Sequence, residues 1–182
     1  RIITSPQSSV INTNNQKRSS YFLSKIYGEC LIQQSNLPFA IFRPHNIYGP
    51  RMGMSHVIPE LIKKFTKSKN RAVVYSPTHT RSFCFVDDAI EQIYQIMKIK
   101  TKKNNLFNIG NPEEEITIKE LSLIIKKILN KKNLKIVFKK DNHDSPSRRC
   151  PDIKKLTKHK RFEFTSLKLG LIKTSDWYQK NI

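Results

Sequence analysis

Residues 19–42, which read SSYFLSKIYGECLIQQSNLPFAIF, decide the fold class. Apolar side chains recur at helical spacing over residues 19–34, which predicts an amphipathic helix that ends before Asn36 and Pro38. The apolar run at residues 39–42 then predicts a short buried strand. A helix followed closely by a buried strand is the repeating unit of an α/β protein.

The rest of the chain continues this alternation. We predict strands over residues 72–75, 82–86, 106–109 and 135–138, helices beginning near Val57, Asp88, Thr117, Asp152 and Ser166, and a loop over residues 44–55. The sequence therefore predicts an α/β architecture, with parallel strands joined by right-handed crossovers.

Two predicted helices begin with the pattern of a capping box, in which an N-cap side chain and the residue three positions later bond to each other's backbone. Asp88 with Glu91 fits this pattern, and so does Thr117 with Glu120. The carboxylates of Asp87 and Asp88 resemble a catalytic pair, but at a helix N-terminus they need no chemistry. We therefore leave both out of the candidate site.

The charge of the chain is strongly unbalanced. Its 34 Lys and Arg residues against 14 Asp and Glu give a net charge of +20, which favours anionic partners. One hypothesis is therefore a basic nucleic-acid-binding module. The chain lacks a strand with interleaved aromatic residues and lacks zinc-finger spacing. We interpret the charge mainly as a solvated surface and do not expect nucleic acid as a partner.

The cysteines and the hydropathy pattern limit the cellular setting. Cys30, Cys84 and Cys150 are odd in number and far apart, so the sequence predicts neither a disulfide framework nor a C-x-x-C metal site. A reducing cytoplasm fits this usage best. No run of 18 apolar residues and no apolar signal core occurs, so we expect no membrane partner.

Tyr21 and Lys25 are the first candidates for chemistry. A spacing of four places both side chains on one face of the predicted helix, about one turn apart. A phenol is a poor base at neutral pH unless a nearby cation favours the phenolate, and Lys25 could supply that charge. Together they could remove a proton from a substrate hydroxyl and return it. In a chain so rich in Lys, the alternative is a half-buried aromatic residue beside a surface charge.

Six sequence blocks follow one another in a characteristic order. They are SYFLSKIYGE (20–29), FRPHNIYGPR (42–51), HVIP (56–59), TRSFCFVDDA (80–89), FNIG (107–110) and PSRRCPDIKK (146–155). The series resembles the NAD-dependent epimerase/dehydratase family, the nucleotide-sugar-modifying branch of the extended short-chain dehydrogenases/reductases, from about Arg1 to Trp177.

The resemblance implies an α/β fold in which part of a Rossmann-like parallel sheet carries a small α/β substrate-binding subdomain. Residues 1–50 would end the dinucleotide-binding domain and include the active-site helix. Residues 51–182 would form mostly the nucleotide-sugar-binding subdomain, interleaved with the last Rossmann strands. A homodimer through a helix bundle that includes the Tyr21 helix also agrees with the resemblance.

The resemblance implies catalytic, cofactor or substrate roles for six residues. Tyr21 would be the acid/base, and Lys25 would bind the nicotinamide ribose of NAD or NADP. Pro44 would line the nicotinamide end of the site, and Asn46 would contact the substrate diphosphate or sugar. A hydroxyl from Thr4 or Ser5 would polarise the reacting oxygen.

The resemblance also implies a nucleotide site. His56 and Val57 match the segment that borders the nucleotide base, and Arg81 and Arg149 match arginines that bind the nucleotide's phosphates or ribose, with Arg148 as a possible substitute for Arg149. A guanidinium group suits this task because its planar fork can donate two hydrogen bonds to phosphate oxygens.

The sequence departs from the family at several places, two of which affect the active site directly. No Gly precedes Gly28, so the Gly-rich turn that holds the dinucleotide pyrophosphate is missing. The segment ITSPQSSVI (residues 3–11) differs from the family's Ser-rich stretch, so Pro6 or Gln7 could occupy the hydroxyl position. We therefore expect either a piece of a longer enzyme or a non-catalytic remnant, and do not expect the 182 residues alone to be a working catalyst.

The reaction type stays open between epimerisation, dehydration, decarboxylation and reduction. The acidic pair that dehydratases keep beside the hydroxyl position is absent here, which favours an epimerase.

Overall fold

The computed structural model describes residues 19–98, 105–140, 146–158 and 160–181. The helices in these ranges are α1 (Ser19–Gln34), α2 (Val57–Lys67), α3 (Val86–Lys98), α4 (Ile118–Ile128), α5 (Lys154–Thr157) and α6 (Leu167–Asn181). The strands are β1 (Ala40–Pro44), β2 (Ile47–Tyr48), β3 (Arg71–Tyr75), β4 (Thr80–Ser82), β5 (Cys84–Phe85), β6 (Asn105–Ile109), β7 (Glu115–Thr117), β8 (Lys135–Lys139) and β9 (Arg148–Arg149).

Most strand pairs are parallel. Strand β1 pairs with β6, β2 with β5, and β3 with β8, in each case across at least one intervening helix. Strand β4 lies between β9, which is parallel to it, and β7, which is antiparallel. The α/β prediction with parallel strands is therefore confirmed, and β7 is the exception.

Two apolar clusters pack the helices against the strands. The larger cluster packs α2, α4 and α6 against β3, and its fully buried side chains include Ile62, Phe65, Leu121 and Leu171. The smaller cluster packs α3 and α5 against β6 around Phe107. Burying each large apolar side chain stabilises the fold by about 1.5–3 kcal/mol, so these clusters dominate the stability.

One of the two predicted capping boxes is present. At the start of α4, Glu120 N donates to Thr117 Oγ1 at 3.1 Å, and Thr117 N donates to Glu120 Oε2 at 2.8 Å. This reciprocal pair satisfies two backbone donors that an open helix end would leave without partners.

The predicted box of Asp88 and Glu91 is wrong, because α3 begins earlier, at Val86. Asp88 instead accepts hydrogen bonds from Thr165 N at 2.9 Å and Thr165 Oγ1 at 2.8 Å. Glu91 pairs with Lys160 Nζ at 3.1 Å. Both carboxylates therefore fasten the segment before α6 to α3.

None of the helices in the described ranges is long and apolar enough to cross a membrane.

Candidate active site

Tyr21 and Lys25 lie together on α1, as their spacing predicts. Tyr21 is 56% exposed, and Lys25 Nζ lies 5.4 Å from the centroid of the Tyr21 ring. Ser24 Oγ donates to the Tyr21 carbonyl at 2.8 Å, so that hydroxyl turns toward the helix backbone. A phenol and an ammonium group so arranged can share a proton-transfer task while remaining open to a ligand.

An ion pair attaches α1 to the neighbouring strand β1. Arg43 Nε donates to Glu29 Oε1 at 2.8 Å, and Arg43 Nη2 pairs with Glu29 Oε2. The two side chains are only 14% and 19% exposed, and their bidentate geometry fixes direction as well as distance. Tyr27 and Leu31 on the same helix are exposed, so apolar contacts at those positions contribute little to this attachment.

We expect Glu29→Gln to lower the free energy of unfolding by about 1–2 kcal/mol, because Arg43 keeps a largely buried charge with a weaker partner. Urea unfolding followed by circular dichroism measures this. Glu60→Gln is the control, since Glu60 forms a solvent-exposed pair with Lys64 whose loss should cost under about 0.5 kcal/mol. Equal losses in the two variants would contradict the anchoring role of Glu29.

The carboxyl end of β1 carries Pro44 and leads to Asn46. His45 N donates to the Ile109 carbonyl at 2.8 Å, which holds this end of β1 beside the end of β6. Ligands of α/β proteins bind outside the carboxyl ends of parallel strands, so exposed Pro44 is well placed for one. Asn46 has a φ of 45°, a left-handed conformation that Asn tolerates well.

The side chain of Asn46 connects this end of β1 to β4. Its Nδ2 donates to the Ser82 carbonyl at 2.9 Å, and Ser82 directly follows Arg81. The amide nitrogen of Asn46 is therefore engaged with the backbone of β4 in this structure. The same bond links the loop after β1 to the residue that follows Arg81.

Gln92 holds the neighbouring end of β6. Its side chain is fully buried, its Oε1 accepts from Gly110 N at 3.0 Å, and its Nε2 donates to the Gly110 carbonyl at 3.2 Å. Sequence reasoning did not select Gln92. The signal was available, since Gln92 is a polar residue on the same helical face as Ala89 and Ile96.

Arg81 and Arg149 lie side by side on β4 and β9. They occupy opposite positions of the parallel pair, so their side chains share one face. Arg81 is 9% exposed, and its Nη1 donates to the Thr80 carbonyl at 2.7 Å. Burial, followed by the neighbouring charge of Arg149, lowers the pKa of Arg81 to about 10. An anion bound between the two guanidinium groups would relieve this repulsion.

Arg148, the suggested substitute for Arg149, lies on the opposite face. Its Nε and Nη2 donate to Glu115 Oε1 and Oε2 at 2.8 Å and 2.7 Å. Arg149, and not Arg148, therefore shares a face of the sheet with Arg81.

The remaining candidates lie at the start of α2 or outside the described residues. His56 is exposed at the N-cap of α2 and makes no capping bond with its side chain. Val57 is half-buried and packs against the larger apolar cluster, so part of its side chain serves the core. Thr4 and Ser5 lie outside the described residues.

The profile of the NAD-dependent epimerase/dehydratase family matches residues 3–110, more than half of the chain. The chain belongs to this family. In the part of the chain that the structure describes, no group of three or more His, Cys, Asp or Glu side chains could hold a metal ion.

Relatives in this family differ in the reaction that they are named for. UDP-glucuronic acid decarboxylase 6 of Arabidopsis thaliana is 33% identical over 144 residues, which cover 76% of this chain and 41% of the relative. UDP-glucuronic acid 4-epimerase from Bacillus cereus, solved with UDP-glucuronic acid and NAD, is 26% identical with a TM-score of 0.78 over 89% of this chain and 53% of that one. dTDP-glucose 4,6-dehydratase from Bacillus anthracis str. Ames, solved with NAD, is 25% identical with a TM-score of 0.73 over 92% of this chain and 53% of that one.

These matches confirm a Rossmann-like α/β fold for the epimerase/dehydratase chain. The chain spans about half the length of these relatives or less. The relatives themselves are named for decarboxylation, epimerisation and dehydration of nucleotide sugars, and the two solved structures contain NAD.

Proposed function

We propose that this chain carries the acid/base pair and the nucleotide-sugar side of an NAD- or NADP-dependent epimerase or dehydratase. The observation that carries the proposal is the bond from Asn46 Nδ2 to the Ser82 carbonyl at 2.9 Å. It joins the strand that follows the Tyr21 helix to the strand that carries Arg81. The bond therefore connects the part of the fold beside Tyr21 and Lys25 to the strand that carries Arg81, which pairs with the strand of Arg149.

Tyr21 is the proposed acid/base. Its phenolate oxygen takes the proton of a sugar hydroxyl, and the Lys25 ammonium stabilises the phenolate. NAD held near Lys25 and Pro44 would supply the hydride chemistry, because it would accept a hydride from the carbon that bears this hydroxyl and could return it. Loss of the proton and the hydride leaves a keto sugar, and Tyr21 gives its proton back when the carbonyl is reduced. Thr4 or Ser5 would hydrogen-bond the reacting oxygen.

The residues present fit the nicotinamide end of such a cofactor. Tyr21 and Lys25 are exposed, and Pro44 lies at the carboxyl ends of the β1–β6 pair. The pyrophosphate of a dinucleotide needs a Gly-rich turn before a helix, and the first Gly of these 182 residues is Gly28, inside α1. We propose that these residues alone do not turn over a nucleotide sugar.

We propose that residues 1–50 end the dinucleotide-binding domain. Residues 51–182 then form mostly the substrate-binding subdomain, interleaved with the last Rossmann strands. Arg81 and Arg149 would bind the substrate diphosphate, with Asn46 beside it and His56 and Val57 bordering the base. Among the reactions, we favour epimerisation over dehydration.

A cytoplasmic homodimer completes the proposal. The exposed apolar side chains of Tyr27 and Leu31 on α1 support a helix-bundle interface, because burying them would remove apolar surface from water.

Calorimetric titration with UDP tests the nucleotide site. Arg81→Ala and Arg149→Ala should each weaken UDP binding about 10- to 100-fold, because a charge-assisted bond to phosphate is lost. Arg71→Ala, at the exposed start of β3, removes the same charge elsewhere and should change the affinity less than about twofold. If Arg71→Ala weakened binding as much as the other two, general attraction to a basic surface would explain the result, and the site would be wrong.

A further inference from the structure

Strand β9, which carries Arg149, is very short and so has few backbone hydrogen bonds to hold it. It is two residues long and borders β4, where Thr80 N donates to the Ser147 carbonyl at 2.8 Å. Arg149 lies opposite Arg81, and guanidinium groups of like charge repel each other. Backbone pairing alone is therefore a weak hold for this strand.

The opposite face of the same strands carries a compensating arrangement around Glu115 on β7. Thr80 Oγ1 donates to Glu115 Oε1 at 2.5 Å, and Arg148 binds both carboxylate oxygens. Since β4 lies between β7 and β9, Glu115 reaches across the central strand to the far edge. Its carboxylate thus fastens three strands at one point.

Strand geometry connects the two faces. Successive side chains of a strand point to opposite faces, so fixing Arg148 on the Glu115 face directs Arg149 to the Arg81 face. A slip of one residue would exchange them and place Arg148 beside Arg81. The hydrogen bond from Arg81 Nη1 to the Ser147 carbonyl at 3.3 Å belongs to the same register.

We propose that Glu115 is a positioning residue that directs Arg149 toward the phosphate site. By binding Thr80 and Arg148 at once, it fixes β9 in the register in which Arg149 faces Arg81. The inference rests on the proposed function, in which this arginine pair binds the substrate diphosphate. Glu115 does not touch the ligand and acts through β9.

The test uses Glu115→Gln, which keeps the side-chain shape but loses the charge that binds Arg148 at both oxygens. We expect UDP to bind about tenfold more weakly, whereas uridine, which has no phosphate, keeps its affinity within about twofold. Titration calorimetry for UDP and ligand-observed NMR for uridine measure the two affinities. Glu91→Gln is the matched control, since it breaks the exposed pair with Lys160, away from β9, and should leave both affinities unchanged.

Equal loss of UDP and uridine binding would overturn the proposal, because a merely structural role would weaken both. Unchanged UDP binding would also overturn it. Hydrogen exchange at the Thr80 amide separates this inference from the proposed function, since that amide bonds to Ser147 whether or not a nucleotide binds. If wild-type protein bound no UDP, the proposed function would fail. Faster hydrogen exchange at the Thr80 amide in Glu115→Gln than in Glu91→Gln would still support the proposal that Glu115 fixes the register of β9. Equal exchange in the two variants would overturn it.

Discussion

In the full-length enzyme, replacing Tyr21 with Phe should lower kcat for nucleotide-sugar conversion about 10²- to 10⁴-fold. The change removes the hydroxyl that moves the proton but keeps the aromatic ring that lies 5.4 Å from Lys25 Nζ. Substrate binding depends on other residues, so KM should change little. Steady-state kinetics with product analysis by mass spectrometry measures both constants.

Tyr27→Phe is the matched control on the same helix. Tyr27 is 66% exposed and is not assigned to the site, so removing its hydroxyl should leave kcat within about twofold. A similar loss in both variants, or none in Tyr21→Phe, would contradict the assignment of Tyr21 as acid/base. Absence of turnover in the wild-type enzyme would support the non-catalytic alternative.

Replacing Gly170 with Ala should lower the free energy of unfolding by about 3 kcal/mol or more. An added Cβ would lie 2.8 Å from Tyr48 Cζ and 2.9 Å from Phe85 Cδ2, and closer still to the Tyr48 hydroxyl oxygen. Tyr48 is 2% exposed, so its ring has little room to move. Urea unfolding measured by circular dichroism gives the difference.

Gly28→Ala provides the opposite result in another helix. Among the described residues, nothing lies within 4 Å of a Cβ added at Gly28. Ala has a higher helix propensity than Gly, so this variant should be more stable by about 0.5–1 kcal/mol. If Gly170→Ala were as stable as wild type, the close packing of α6 against Tyr48 would be wrong.

Local signals predicted the elements whose determinants are close in sequence. The bounds of α1 and the capping box of Thr117 with Glu120 both follow from residues within one or a few turns of each other. Asp88 and Glu91 showed the same local pattern, but partners far along the chain bind them instead. Thr165 lies 77 residues from Asp88, and no local pattern contains that contact.

Short strands were the part of the fold that the sequence did not reveal. The predicted loop over residues 44–55 contains β2, which is only two residues long. Its partner β5 is equally short, and Ile47 lies opposite Cys84. Two-residue strands have no periodicity of their own, so only the tertiary pairing defines them.

The candidate site divides in the same way. Tyr21 and Lys25 share a helix, so their proximity follows from their spacing. Arg81 and Arg149 are far apart in sequence, and their pairing required the register of β4 with β9. The choice between Arg148 and Arg149 depends on strand alternation. The roles of Thr4, Ser5 and the other site residues stay predictions.

A crystal structure of the chain with UDP-glucuronic acid tests the central claim most directly. We predict that the diphosphate lies within hydrogen-bonding distance of both Arg81 and Arg149, with the sugar beside the Tyr21 phenol. One competing position is a hollow of about 400 Å³ lined by Leu123 and by Lys126, Lys127, Asn130, Lys131 and Lys132 at the end of α4. A nucleotide bound there, with Arg81 and Arg149 not contacting it, would contradict the account.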